Sequence, residues 1–153
     1  MQNSKDSIME KRFKMIEVQP DAYRAMRELS KYVAATGIAP LHLELIKIRA
    51  SQINGCAYCL DMHAKEARQL GEAEQRIYLL SAWKDAPVYT EEERLMLEMT
   101  EEITLIHRHG LSREVYQRAI VLFGEEKTAK IIMTIVTINA WNRIMASLQA
   151  VPE

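Results

Sequence analysis

Apolar residues recur at steps of three and four along nearly the whole chain, and glycine or proline stands at most points where the pattern resets. Pro20-Asp21 opens a run that carries Tyr23, Met26, Leu29, Tyr32 and Val33 and closes at Thr36-Gly37. That spacing predicts a helix with one apolar face. Gly37 fits the position just past its end, where a left-handed backbone is needed. Pro40 suits the first turn of a second helix. Leu41, Leu45, Ile46, Ile48 and Ile53 lie along it, and Asn54-Gly55 ends it. A third helix starts at the cysteines and runs to Leu70-Gly71, and a fourth, short one covers residues 73–83.

Thr90-Glu91-Glu92-Glu93 reads as a capping box, with Thr90 at the N-cap and Glu93 at the third helical position. The fifth helix that it starts carries Leu95, Met96, Met99, Ile103 and Ile106, and is expected to end at His107-Arg108-His109-Gly110, where basic side chains suit the dipole. Ser112 caps a sixth helix that reaches Phe123-Gly124, and a seventh runs from Glu126 to Gln149. Residues 131–138 are dense in β-branched side chains, but the length of the segment and its lack of alternation favour a buried helix over a strand. The chain is therefore expected to be all-α, with about seven helices in one domain over residues 13–153 and a central antiparallel pair that meets at Asn54-Gly55. Residues 1–12 are expected to form a loose N-terminal arm.

Composition narrows the function. At 153 residues the chain has one domain's worth of core, and 48% hydrophobic with 27% charged residues describes a globular protein. Lys+Arg 20 against Asp+Glu 21 gives a net charge of -1, so no strong field favours nucleic acid or an anionic membrane. No apolar run approaches a membrane span, and the polar N-terminus has no signal-peptide core. A cytoplasmic location is expected.

The chemistry concentrates in Gly55-Cys56-Ala57-Tyr58-Cys59 and the His63 that follows, which hold both cysteines of the chain. Close cysteine pairs in the cytosol are more often catalytic or metal-bound than structural. If the third helix starts beside Cys56, both thiols lie in its first turn, where free N–H groups and the dipole favour a thiolate. Cys56, Cys59 and His63 then share one face. In an antiparallel pair hinged at Asn54-Gly55, Glu44 falls about three residues, or roughly 4.5 Å, from the level of His63. A carboxylate there could orient the imidazole and accept its proton. Three readings stay open on these grounds. The cysteines could be a redox pair, two small core residues, or part of a zinc site that would need His42, His107, His109 or a carboxylate as fourth ligand.

Glu44, Cys56-Ala57-Tyr58-Cys59 and His63 together resemble the Glu…Cys-x-x-Cys-x-x-x-His pattern of the alkyl hydroperoxidase D-like proteins of the carboxymuconolactone decarboxylase superfamily. Thr90-Glu91-Glu92-Glu93-Arg94 and Ile138-Asn139-Ala140-Trp141-Asn142-Arg143 also look like segments of its single-domain members, so the resemblance spans residues 12–148. It implies an AhpD-like helical fold assembled as a homotrimer or homohexamer, and an antioxidant thiol peroxidase acting on a small hydroperoxide, or a disulfide reductase. By the family pattern, Cys59 attacks peroxide and Cys56 resolves the sulfenic acid to a disulfide. Glu44 and His63 form the proton relay, and a lipoyl- or thioredoxin-like dithiol protein restores the thiols. No cofactor or bound metal is expected. The pattern departs at Tyr58, where the best-known relatives carry a histidine; tyrosine is no base near neutral pH, which implies a shorter relay and weaker peroxidase turnover.

The remaining candidates have plainer readings. His107 and His109 fit the surface of a helix end, and His42 points to a different helix face from Glu44. Trp83 and Trp141 read as core or interface aromatics. Met96, Met99, Met133 and Met145 read as packing, though several could line an apolar pocket.

Overall fold

The computed structural model describes residues 12–152. The expected arm lies outside them except for Arg12, whose guanidinium donates to the Ser147 carbonyl at 2.5 Å. Seven α-helices and no strand occur among the described residues: α1 Met15–Val18, α2 Pro20–Ala34, α3 Pro40–Asn54, α4 Ala57–Gln69, α5 Glu74–Tyr78, α6 Glu91–Thr104 and α7 Arg113–Ser147. None is long and apolar enough to cross a membrane.

The central helix is α3, which packs against α4, α6 and α7. It buries side chains around its whole circumference, among them Leu43, Leu45, Ile46, Ile48 and Ala50, as a helix inside a bundle must. One side joins Val33, Met96, Met99, Ile131 and Ile135 in the main core. Another joins Leu80, Trp83 and Leu97. Met96 and Met99 are therefore packing residues, as expected, and Trp83 is core.

Several boundaries differ from those expected. The single turn α1 lies where no helix was predicted. The fourth helix is only α5 and then a 3-10 turn, Leu80–Ala82. Leu80 and Trp83 turn into the core, and Arg94 holds the bend by donating to the carbonyls of Trp83, Lys84 and Ala86. The fifth helix, α6, stops at Thr104, short of His107 and His109, which lie in the turns that follow. There Glu102 accepts the Ser112 backbone N–H at 2.7 Å, which draws the start of α7 back against α6. The sixth and seventh helices run on as α7, broken only at Gly124, whose φ of 74° and ψ of 171° leave the helical range.

An amide ladder fixes the site end of the bundle. Asn54 donates to the side-chain oxygens of Asn139 and Asn142, each at 2.9 Å. Asn142 donates to Ser51 Oγ and Asn139 to Thr104 Oγ1, each at 3.0 Å. The C-terminus of α3 is thereby tied to α7, which sets where the chain turns into α4.

Candidate active site

Gly55 makes the turn between α3 and α4 in the left-handed region, at φ 65°. A residue with a Cβ is strained there. The Cys56 N–H closes the turn on the Ser51 carbonyl at 3.1 Å. Cys56 is the N-cap of α4, and its Sγ accepts the Cys59 N–H at 3.4 Å. The two cysteines are joined as a disulfide, 2% and 1% exposed, packed with Ala50 and Ile138. Neither is a free thiol. In this form their sulfurs do not offer the thiolates a zinc site uses.

One turn further, His63 is buried with its Nδ1 aimed at two carboxylates. Nδ1–H donates to Glu44 Oε2 at 2.8 Å and is 3.1 Å from Glu66 Oε2. The structure thus brings together Glu44 and His63, as expected from the hairpin. With Nδ1 protonated toward the carboxylates, Nε2 is left as the basic atom of the neutral ring. Burial pulls the His63 pKa down, but the hydrogen bonds to Glu44 and Glu66 outweigh it, and the net shift is upward from 6.5. The same contact with His63 pulls Glu66 below the usual glutamate range.

Two members of this group were not singled out in the sequence. Glu66 stands three residues after His63, and Lys47 three after Glu44, with its ammonium 2.7 Å from Glu44 Oε1. Helical spacing was the available signal for both. Glu44, His63 and Glu66 offer donor atoms within 4.8 Å of one another, a possible cation set. Lys47 already supplies a positive charge on its Glu44 side.

Cys59 and His63, but not Cys56, line a cleft of about 440 Å³ bounded by α2, α4 and α7. Tyr58 lines it too. Its far wall is Tyr23 and Trp141, edge to face with centroids 5.4 Å apart, and Trp141 Nε1–H donates to Ser30 Oγ at 2.8 Å. Trp141 and Met145 pack against the cysteine cluster, in line with their reading as packing residues, and also line this cleft. His42 lies elsewhere, 3.6 Å from Glu93. His107 and His109 also take no part in the cleft, and His109 Nδ1–H donates to the Gly110 carbonyl.

Residues 20–102, more than half the chain, match the carboxymuconolactone decarboxylase family profile. The chain belongs to that family. Within the carboxymuconolactone decarboxylase family it is similar to YdfG, an uncharacterized protein of Bacillus subtilis strain 168. The two are 41% identical over 140 residues, 92% of this chain and 95% of that one. A solved structure from Agrobacterium tumefaciens, of unknown function and proposed to be the antioxidant defence protein AhpD, superposes with a TM-score of 0.91. Identity is 38%, over 94% of this chain and 99% of that one. The AhpD-like fold follows. The debrominase Bmp8, solved with 2,3,4-tribromopyrrole, shares the fold at 21% identity and TM-score 0.81, covering 90% of this chain and 74% of that one.

Proposed function

We propose that the protein is an antioxidant peroxidase that reduces a small hydroperoxide with its Cys56–Cys59 pair. The observation that carries this reading is that Cys59 and His63 open onto one cleft while Nδ1 of His63 is held by a buried carboxylate. In the reduced protein, His63 Nε2 takes the Cys59 proton. The thiolate sulfur attacks the terminal peroxide oxygen, the O–O bond breaks, and the departing alkoxide takes a proton back from the imidazolium. Cys59 is left as a sulfenic acid and the hydroperoxide as an alcohol. Cys56 then attacks the Cys59 sulfur, water leaves, and the disulfide forms. A dithiol protein of lipoyl or thioredoxin type returns two electrons and two protons. Cys56 suits the resolving role, because its Sγ sits at a helix N-cap facing a backbone N–H, which favours its thiolate.

The proposal includes a cytoplasmic location and a homotrimeric or homohexameric assembly. Assembly would cover the apolar side chains exposed along α7, such as Tyr116, Val121 and Val136. In the test, the reduced protein is mixed with hydroperoxide and both peroxide loss and free thiol are followed. Two thiols should disappear per peroxide, a dithiol should restore them, and Cys59→Ser should consume peroxide at the buffer rate. Consumption by Cys59→Ser at the wild-type rate sinks the reading.

The second reading is a protein disulfide reductase or redox sensor with little peroxide turnover. Tyr58, which supplies no base in the cleft, favours it. It expects a mixed disulfide with a protein target, trapped by replacing one cysteine with serine.

A further inference from the structure

The cleft beside Cys59 holds one cation with no partner among the described residues. Its lining holds Arg27, Lys31, Lys47 and His63, with Glu66 as the one carboxylate among the described residues. Pairing accounts for most of them. Lys31 is 2.6 Å from Glu28, Lys47 is 2.7 Å from Glu44, and His63 sits between Glu44 and Glu66. Arg24, a turn earlier on the same helix, is 2.9 Å from Asp21. Arg27 has no hydrogen-bond, ion-pair or ring partner among the described residues, and its side chain is exposed. The rest of the lining is largely apolar, with Tyr23, Trp141, Met62, Met145 and Ile138 sharing the cleft with Arg27 and Cys59.

We propose that this cleft selects organic hydroperoxides that carry a carboxylate on a compact apolar body, with the carboxylate seated on Arg27 and the peroxide at Cys59. The proposal rests on the peroxidase reading and specifies its substrate. A guanidinium binds a carboxylate through two parallel hydrogen bonds, a geometry a lysine does not offer. One unpaired cation matches a monoanion, whereas a phosphate's second charge would face cations that are already paired. The volume of about 440 Å³ is in the range of sites that enclose small organic molecules. The apolar wall contributes to binding only if the body between the two polar ends is itself apolar. The covalent step is the one written above, since the carboxylate sits at the far end from the reacting oxygen.

The experiment compares cumene hydroperoxide with its para-carboxylate, which has the same reacting carbon and differs in the remote charge. At low ionic strength kcat/KM should favour the carboxylate by about tenfold, the scale of one charge-assisted contact at an exposed lip. The preference should shrink as salt is added. Arg27→Gln should bring the ratio near one, while Arg24→Gln, outside the cleft, should leave it as in the wild type. Equal values for both substrates in the wild type, or a preference that survives Arg27→Gln, overturn the proposal. Binding of unreactive 4-isopropylbenzoate to the full chain, followed by tryptophan fluorescence, separates this result from the peroxidase reading. If neither hydroperoxide is consumed but the benzoate binds, and binds about tenfold more weakly to Arg27→Gln, the carboxylate site stands and the peroxidase reading falls. If the benzoate does not bind the wild type, the carboxylate site falls.

Discussion

The protein holds two buried carboxylate networks, and they differ in the cation that each one holds. In one, Arg76 joins Glu72 at 2.8 Å and Glu93 at 2.5 Å. It also donates to the Val88 carbonyl, and Tyr89 donates to the Arg76 carbonyl. In the other, His63 lies between Glu44 and Glu66. Glu44, Glu72 and Glu93 are almost equally buried, at 5%, 4% and 6% exposure. Burial therefore does not tell them apart. A guanidinium keeps its proton at any pH a protein meets, so the Arg76 network locks α5 to α6 and transfers nothing. An imidazole gains and loses its proton near neutrality, and this one lines the same cleft as Cys59 of the disulfide. A buried acid points to chemistry only when its partner is able to let a proton go.

The pH dependence separates the two networks further. Burial pushes the Glu93 pKa up, but hydrogen bonds from Arg76 and the Thr90 backbone outweigh it, so the folded value lies below 4.5. Its contribution to stability is present above 4.5 and is lost as pH falls through the folded value. His63 is raised, so its contribution is full below 6.5 and is lost as pH rises through the folded value. The Arg76 network weakens only in acid, whereas the His63 network weakens as pH rises through the raised His63 value and again in acid, where the lowered Glu66 takes its proton.

The largest expected effect is Arg76→Met, which strips two buried carboxylates of their guanidinium and should cost about 3 kcal/mol in urea unfolding. The acid limb of stability should flatten with it, and thiol oxidation should survive wherever the variant remains folded. His63→Gln should do the reverse. Oxidation of the thiols by peroxide should slow about a hundredfold, the usual worth of a general base, while the urea midpoint shifts little. An Arg76→Met variant that stays fully stable yet loses peroxide reactivity would invert the comparison. The smallest effect is Glu66→Gln. Removing one of the two carboxylates that raise His63 should lower its pKa, so the rise of oxidation rate with pH moves to lower pH, with a change of only a few-fold at neutrality. An unmoved pH profile would remove Glu66 from the relay.

Local chemistry was legible in the sequence, and so was the contact between Glu44 and His63. The Thr90–Glu93 capping box forms with both of its hydrogen bonds, and Ser112 caps α7 through the Val115 N–H. Gly55 and Gly124 break helices at positive φ as their positions suggested. Each of these signals acts within a few residues. The pairing of Glu44 with His63 followed because one tight turn fixes the register of two antiparallel helices. Glu66 and Lys47 were hidden because a charge one turn along a helix ordinarily faces water, and only the closed hairpin turns these two toward His63 and Glu44. Trp141 was read as core or interface because no local pattern says that α7 returns to face α2. The early end of α6 depends on Glu102 reaching Ser112 ten residues on, a contact with no sequence signature.

The cysteines at the start of α4 are separated by only three positions, so their bond closes nearly the smallest ring a chain can make. A cross-link confers stability largely by restricting the unfolded chain, and less so as the loop shrinks. For this loop the chain-entropy relation gives about 2 kcal/mol, against about 3 for fifteen residues. The α3–α4 hairpin is held by the Gly55 turn, the asparagine ladder and the surrounding core, none of which requires the sulfur–sulfur bond itself. Under the proposed peroxidase reading, the protein works like a rechargeable cell in a rigid case, cycling two electrons through a bond on which the fold does not depend.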